Sequence, residues 1–132
     1  MMGTINWLKE LGWSQEHVED LRYTGYSYVR QGKYAIALAF FEALTVLDPE
    51  SAYDAQTLGA IYLQLNEPAK AIKYFDRALK FETDHGPTLL NLAKALFILG
   101  KIQEGLRLVN LLKNEPNPAI SNVAKALILA YS

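Results

Sequence analysis

The chain has 132 residues, 51% of them hydrophobic and 20% charged, which suits one small domain with a packed core and excludes a disordered segment. Cysteine is absent, so disulfides, thiolate metal sites and a cysteine nucleophile are excluded. The formal net charge of −1 makes no electrostatic case for nucleic acid or an anionic membrane, and no apolar run reaches the roughly 18 residues that a membrane span needs. With no basic segment leading into an apolar one, no secretory signal is read, and the expectation is a soluble, cytoplasmic protein without membrane insertion.

In chain order, residues 1–17 form the first helical segment. Ile5, Trp7, Leu8 and Leu11 make a short amphipathic stretch, Gly12 ends it, and Ser14 is placed to cap the next helix. The stretch either folds back on the helices C-terminal to it or offers a surface for a homo- or heterodimer. Trp7 and Trp13 would be costly if simply exposed.

From residue 18 the chain repeats itself every 34 residues. Gly25, Gly59 and Ala93 are in phase, as are Ala37, Ala71 and Gly105. Phe41, Phe75 and Val109 keep the same step, and so do Tyr28, Tyr62 and Leu96. Frames of 18–51, 52–85 and 86–119 capture them. Each unit reads as two helices. The first runs through Tyr23, Tyr26 and Tyr28 to Gly32, and the second from Tyr34 to Leu47 before Asp48-Pro49 breaks the pattern. Unit two turns at Asn66-Glu67-Pro68, with Pro68 at the first helical position, and unit three at Gly100. Such short connections force each pair into antiparallel contact. The small residues predict close helix approach at Gly25 with Ala37, Gly59 with Ala71, and Ala93 with Gly105. One pair cannot bury both its faces, so the expected fold is all-α, a stack of paired helices.

Residues 120–132 predict a last, capping helix, with Asn117 as its N-cap and Pro118 in its first turn. Ile120, Val123, Leu127 and Tyr131 form one apolar stripe, and Ile128, Leu129 and Ala130 extend it around the side. A helix apolar nearly all round wants cover on more than one side. It either packs on unit three with a few exposed residues or serves as a partner or self-association surface.

Chemistry-bearing residues are sparse. His17 and His85 are the only histidines, and a metal site needs three or four converging ligands. No H-E-x-x-H, Asp-rich calcium loop, Gly-rich phosphate loop or G-x-S-x-G elbow is present. Glu19 and Asp20 are adjacent on a helix and point to different faces. No enzyme, metal or cofactor is therefore expected. Charge is uneven: residues 1–67 carry four bases against nine acids, and residues 68–132 nine bases against five acids. The two fields either simply cancel or orient a bipolar partner, acting on association rate and register more than on affinity.

The run Leu58-Gly59, Tyr62, Ala71, Phe75, Ala78 resembles the tetratricopeptide repeat (TPR), as do Gly25, Tyr28, Gly32, Tyr34, Ala37, Phe41 and Pro49. In unit three Gly105 and Val109 replace the usual Ala and Phe, and Pro116 and Pro118 straddle the expected proline. The resemblance covers residues 18–119 and implies a right-handed superhelix of three helix-turn-helix repeats. It further implies that the first helix of each unit lines a concave groove. The inward residues would be Arg22, Tyr26, Val29 and Arg30 in unit one, Tyr53, Gln56, Ala60 and Leu63 in unit two, and Leu90, Lys94 and Phe97 in unit three. Such a set suits an amphipathic helix or an extended segment of another protein.

TPR domains that hold the acidic C-terminus of heat-shock chaperones resemble one another in a Lys/Asn clamp. Here Arg22 and Tyr26 stand at its first two positions, Thr57 where the second Asn belongs, and Pro87 where a Lys belongs. That function is not expected. The segments 25–34 and 40–49 are instead similar to the small TPR chaperones of bacterial type III secretion. This resemblance implies a non-enzymatic chaperone that sequesters an amphipathic helical segment of a small secreted or secretion-apparatus protein, or binds a co-chaperone. The alternative is a generic TPR scaffold in a multiprotein assembly.

Overall fold

The computed structural model describes residues 6–132, and every element among them is helical. Ile5, the first residue of the N-terminal amphipathic stretch, lies outside the described residues. In order the helices are α1 (Trp7–Leu11), α2 (Gln15–Arg30), α3 (Tyr34–Leu47), α4 (Ala52–Gln64), α5 (Pro68–Leu79), α6 (Gly86–Ile98), α7 (Ile102–Leu112) and α8 (Pro118–Tyr131).

The 34-residue rhythm is written most sharply in the turns. Gly32, Asn66 and Gly100 all take left-handed backbone, with φ of 72°, 60° and 79°. Behind each, the next residue's N–H reaches back to the last turn of the helix: Lys33 to the Tyr28 carbonyl at 2.9 Å, Glu67 to Tyr62 at 2.8 Å and Lys101 to Leu96 at 2.9 Å. This hydrogen-bond closure satisfies carbonyls that a helix end would leave bare. Asn is the residue besides Gly that tolerates the left-handed region, so unit two keeps the same turn without a glycine. Helices α3, α5 and α7 then start at 34, 68 and 102, in step. Asn6, Ser51 and Asn117 accept backbone N–H groups of Lys9, Asp54 and Ala119 at the starts of α1, α4 and α8. At α2 the cap is reciprocal: the Ser14 N–H donates to His17 Nδ1 at 3.0 Å, which gives that histidine a structural role. Helix α2 thereby starts three residues ahead of the first repeat frame, and α8 begins at Pro118, ahead of residue 120.

The pairs α2/α3, α4/α5 and α6/α7 pack on one another in sequence, with α8 closing the stack against α7 and α6. Phe41, Leu44, Leu58, Ile61 and Phe75 anchor one core. Leu90, Phe97, Val109, Leu112 and Ile120 anchor a second under α8, and Leu108 touches both. The glycines are notches for rings. A Cβ on Gly25 would meet Phe40 at 2.8 Å and Phe41 at 3.0 Å, so the close approach expected with Ala37 is made by these aromatics. On Gly59 it would meet Phe75 at 2.6 Å and the Ala71 carbonyl at 3.1 Å. Ala37, Ala71, Ala78 and Ala93 are buried, and Tyr28 is half-buried. In unit three the arrangement is reversed: Gly105 on the second helix is the notch, and Phe97 on the first helix fills it, at 2.6 Å from where a Cβ would stand. Phe on the second helix becomes Val109 and Gly on the first becomes Ala93, so volume is moved across the helix pair and the packing stays dense.

Polar ties join successive units at a separation of 32 residues. Arg22 bonds Asp54, Thr88 bonds Gln56, and the Arg77 guanidinium donates to the Thr45 carbonyl at 2.7 Å. Helix α1 folds back through Leu8, which packs on the first core, while Trp7 and Leu11 stay exposed. Helix α8 buries Ile120, Ser121 and Ala124 and leaves Leu129 83% exposed. No described helix is long and apolar enough to cross a membrane.

Candidate functional site

Side by side, α2, α4 and α6 enclose a cleft of about 300 Å³. Helix α2 contributes Tyr26 and Val29, and Tyr34 reaches in from the start of α3. Helix α4 forms the wall with Tyr53, Gln56, Thr57, Ala60 and Gln64, residues spaced three and four apart and hence on one face. Helix α6 closes the far side with Pro87 and Asn91, and Ile61 lies in the floor.

The lining is apolar and aromatic with amides set into it, and among the described residues it carries no carboxylate, imidazole or amine. Burial raises the Tyr53 phenol pKa above its ordinary value. The Thr57 hydroxyl is occupied by the Tyr53 carbonyl at 2.7 Å. Gln56 is held from behind: the Thr88 hydroxyl donates to its Oε1 at 2.7 Å, and His85 Nδ1 lies 2.8 Å from the same hydroxyl. A hydroxyl has one proton, so His85 donates to Thr88 and the chain of bonds fixes the Gln56 amide. Its NH₂ is left as a donor for a polypeptide carbonyl. Among the described residues, no group of three or more His, Asp or Glu is placed to hold a metal.

Of the residues predicted to face inward, Tyr26, Val29, Tyr53, Gln56 and Ala60 come together here. Arg30 sits on a neighbouring shallow hollow with Tyr23, Ser27 and Gln31. Leu63 packs half-buried against the first core, and Lys94 is half-buried away from the cleft lining. Leu90 and Phe97 belong to the second core. Phe97 is 5% exposed and stacks on Tyr131 with centroids 4.1 Å apart, so its position on the groove is corrected to the interior. Arg22 lies at the cleft's edge, but its charge is spent within the fold. It forks onto Asp54 through Nε at 2.7 Å and Nη2 at 2.6 Å, reaches Asp48 at 2.9 Å, and pairs with Glu19. The Asp54 carboxylate is fully buried, and its bonds hold the guanidinium pKa well above its ordinary value. This guanidinium is thus engaged chiefly by carboxylates of its own fold.

The predicted inward set leaves out Tyr34, Thr57, Ile61, Gln64, Pro87 and Asn91, of which Thr57 and Pro87 are weighed only as clamp positions. The rhythm carries Thr57, Pro87 and Asn91: Thr57 and Asn91 are one period apart, as are Tyr53 and Pro87. The position of Val29 leads by the same step to Leu63 and Phe97, which turn progressively into the core.

Residues 34–111 match the family model described as anaphase-promoting complex, cyclosome, subunit 3. The mouse superkiller complex protein 3 is 31% identical over 78 residues, which is 59% of this chain and only 5% of the length of that relative. Among solved structures, the Yersinia enterocolitica type III secretion chaperone SycD, in complex with a peptide of the translocator YopD, superposes with a TM-score of 0.81 at 22% identity, covering 89% of this chain and 94% of that one. PcrH, in complex with the chaperone binding region of PopD, gives 0.81 at 23% identity over 91% and 94% of the two chains. Pseudomonas aeruginosa is the source of a PcrH structure solved alone. At these identities the likeness is one of fold. The matched span runs from the first residue of α3 to the last turn of α7, and the chain belongs to this tetratricopeptide-type repeat family.

Proposed function

We propose that the chain is a non-enzymatic, cytoplasmic chaperone that holds an amphipathic segment of a small secreted or secretion-apparatus protein in the α2–α4–α6 cleft until export. The observation that carries this reading is the cleft itself. It presents Tyr26, Tyr53, Val29 and Ala60 to an apolar side chain, and the fixed Gln56 amide, with Gln64 and Asn91, to a partner's backbone. A cavity of about 300 Å³ takes a few side chains at a time, so an anchor docks here and the rest of the segment runs over the concave face. Burial of an apolar face contributes about 25 cal/mol per Å², reduced by the cost of ordering the segment. Release to an export machine requires that this binding stay reversible. The fold shared with SycD and PcrH, each solved with a segment of another protein bound, supports the same reading.

The second reading is a scaffold joining larger proteins in an assembly. The matched span, shared with the family model of an anaphase-promoting complex subunit and a small portion of a long mouse protein, favours it. One experiment separates the two. The tagged chain is isolated from its source cell, and the retained protein is identified by mass spectrometry. The chaperone reading expects one short protein with an amphipathic segment, lost from the Ala60→Glu variant, whose helicity is unchanged. Retention of large folded assemblies overturns it in favour of the scaffold.

A further inference from the structure

At its α2 end the cleft opens into a second hollow of about 440 Å³, walled by Tyr23, Tyr26 and Tyr53 and rimmed by Glu19 and Asp20. Tyr26 and Tyr53 line both spaces, so one extended occupant reaches from one into the other. Their ring centroids lie 6.4 Å apart with planes inclined at 55°, an open V rather than a closed stack. Tyr23 stands 79% exposed beside them.

Within this hollow the lining carries two acids, Glu19 and Asp20, against Arg22, while Arg30 lies in the next hollow along, which shares Tyr23 and Tyr26. Among the described residues Arg22 is the one cation lining the hollow, and its Nε, Nη1 and Nη2 are already directed at Asp54, Glu19 and Asp48. Asp54 and Asp48 take up this guanidinium from outside the lining, which leaves Glu19 and Asp20 as the charges that face an occupant, a local negative surplus. Glu19 and Asp20 are exposed; the Glu19 Oε1 accepts from Arg22 and Gln15, so Glu19 turns its other oxygen to an occupant, and Asp20 can reorient toward one. Phenol rings carry negative faces, and a cation set against them beside carboxylates is attracted by both. An anion is repelled, and a neutral apolar group gains only contact with the rings. The central cleft has no charge at all in its lining, so the two hollows make different chemical demands on neighbouring side chains.

We propose that this hollow seats an arginine side chain of the same partner segment whose apolar anchor enters the central cleft. The inference rests on the partner-binding reading and deepens it: the segment carries a basic residue next to its apolar anchors. Arginine fits better than lysine because its planar guanidinium can lie on one tyrosine face and bond a carboxylate in the same plane. The surplus of acids in residues 1–67 then orients the segment, with its basic end toward α2.

The test uses acetyl-arginine amide and its neutral, equally shaped counterpart acetyl-citrulline amide, titrated into the full chain and followed by heteronuclear NMR. The arginine probe is expected to shift the signals of Tyr23, Tyr26 and Tyr53 saturably and to weaken as salt rises. The citrulline probe is expected to bind about threefold more weakly or worse. The double variant Glu19→Gln/Asp20→Asn should lose the preference; because Glu19 also pairs with Arg22, its unfolding midpoint falls somewhat, and Asp20→Asn alone, outside that pair, should weaken the preference while unfolding at the same denaturant concentration. Equal binding of the two probes, an undiminished preference in the double variant, or shifts mapping elsewhere would overturn the proposal. If the arginine seat fails while Ala60→Glu still releases the cellular partner, the seat falls and the partner-binding reading stands. If the seat holds and Ala60→Glu retains the partner, it is the central-cleft reading that falls.

Discussion

Arg22 and Asp54 are joined by two hydrogen bonds, at 2.7 and 2.6 Å, across the junction between the first and second helix pairs. The carboxylate is fully buried and the arginine side chain is 14% exposed. Arg22→Met would strand a buried charge, which costs about 3–5 kcal/mol. Urea unfolding should show that loss. Replacing both groups, Arg22→Met with Asp54→Leu, should recover most of it, because a well-packed apolar pair is close to neutral relative to a buried ion pair. A single variant within experimental error of the parent would show that the pair does not hold the first junction.

At Gly59 the missing Cβ is filled from two sides, by the Phe75 ring at 2.6 Å and by the Ala71 carbonyl at 3.1 Å. The ring can shift only into a packed core, and the carbonyl belongs to α5 itself. Gly59→Ala, which on an open helix surface would stabilise, should therefore destabilise by about 1–3 kcal/mol through overpacking. Thermal unfolding checks the sign, and a raised midpoint would contradict the close packing of α4 on α5.

How much of the fold and the cleft was legible depends on what a period can encode. The turns were readable because Gly32 and Gly100 announce a left-handed residue, and Asn66 holds the place between them. The helix starts at 34, 68 and 102 come directly from those turns. The site was only half readable. Tyr26, Tyr53 and Ala60 are apolar or aromatic on the inward face of their helices, and the repeat frame finds them. Phe97 carries the same kind of signal, yet Gly105 opposite it opens a notch that draws the ring inside. Which helix of a pair carries the notch is a pairwise property, and a periodicity read one position at a time does not contain it. That Arg22 is engaged within the fold was not readable for a related reason, since its partner Asp54 lies 32 residues away, out of step with the repeat.

Tyr62 donates its hydroxyl to Glu42, and this bond, together with burial, raises the phenol pKa to about 12. In the unfolded chain the value is about 10. The folded-state pKa is the higher one, so the stabilisation is complete below pH 10 and is lost as pH rises from about 10 through 12. The parent should therefore lose stability over that alkaline window more steeply than Tyr62→Phe, which has no proton to release. Denaturant midpoints measured across the window decide it, and parallel curves for the two proteins would sink the assignment.

Phe97 lies flat on Tyr131, with centroids 4.1 Å apart and planes 4° from parallel, and fills the Gly105 notch with its edge. The stack ties α6 to the last turn of α8 and is sealed from the cleft. Phe97→Ala removes a buried ring and should cost about 3–5 kcal/mol. Tyr131→Ala, which strips only the outer member, 40% exposed, should cost less. Hydrogen exchange should report the loss first in α7 and α8, because those helices pack on α6 from the side where the ring is lost. Partner affinity per folded molecule should be unchanged in both variants, since neither residue lines the cleft formed by α2, α4 and the start of α6. Weakened binding by Phe97→Ala at full helicity would return that residue to the groove face and require a wider site than the one described.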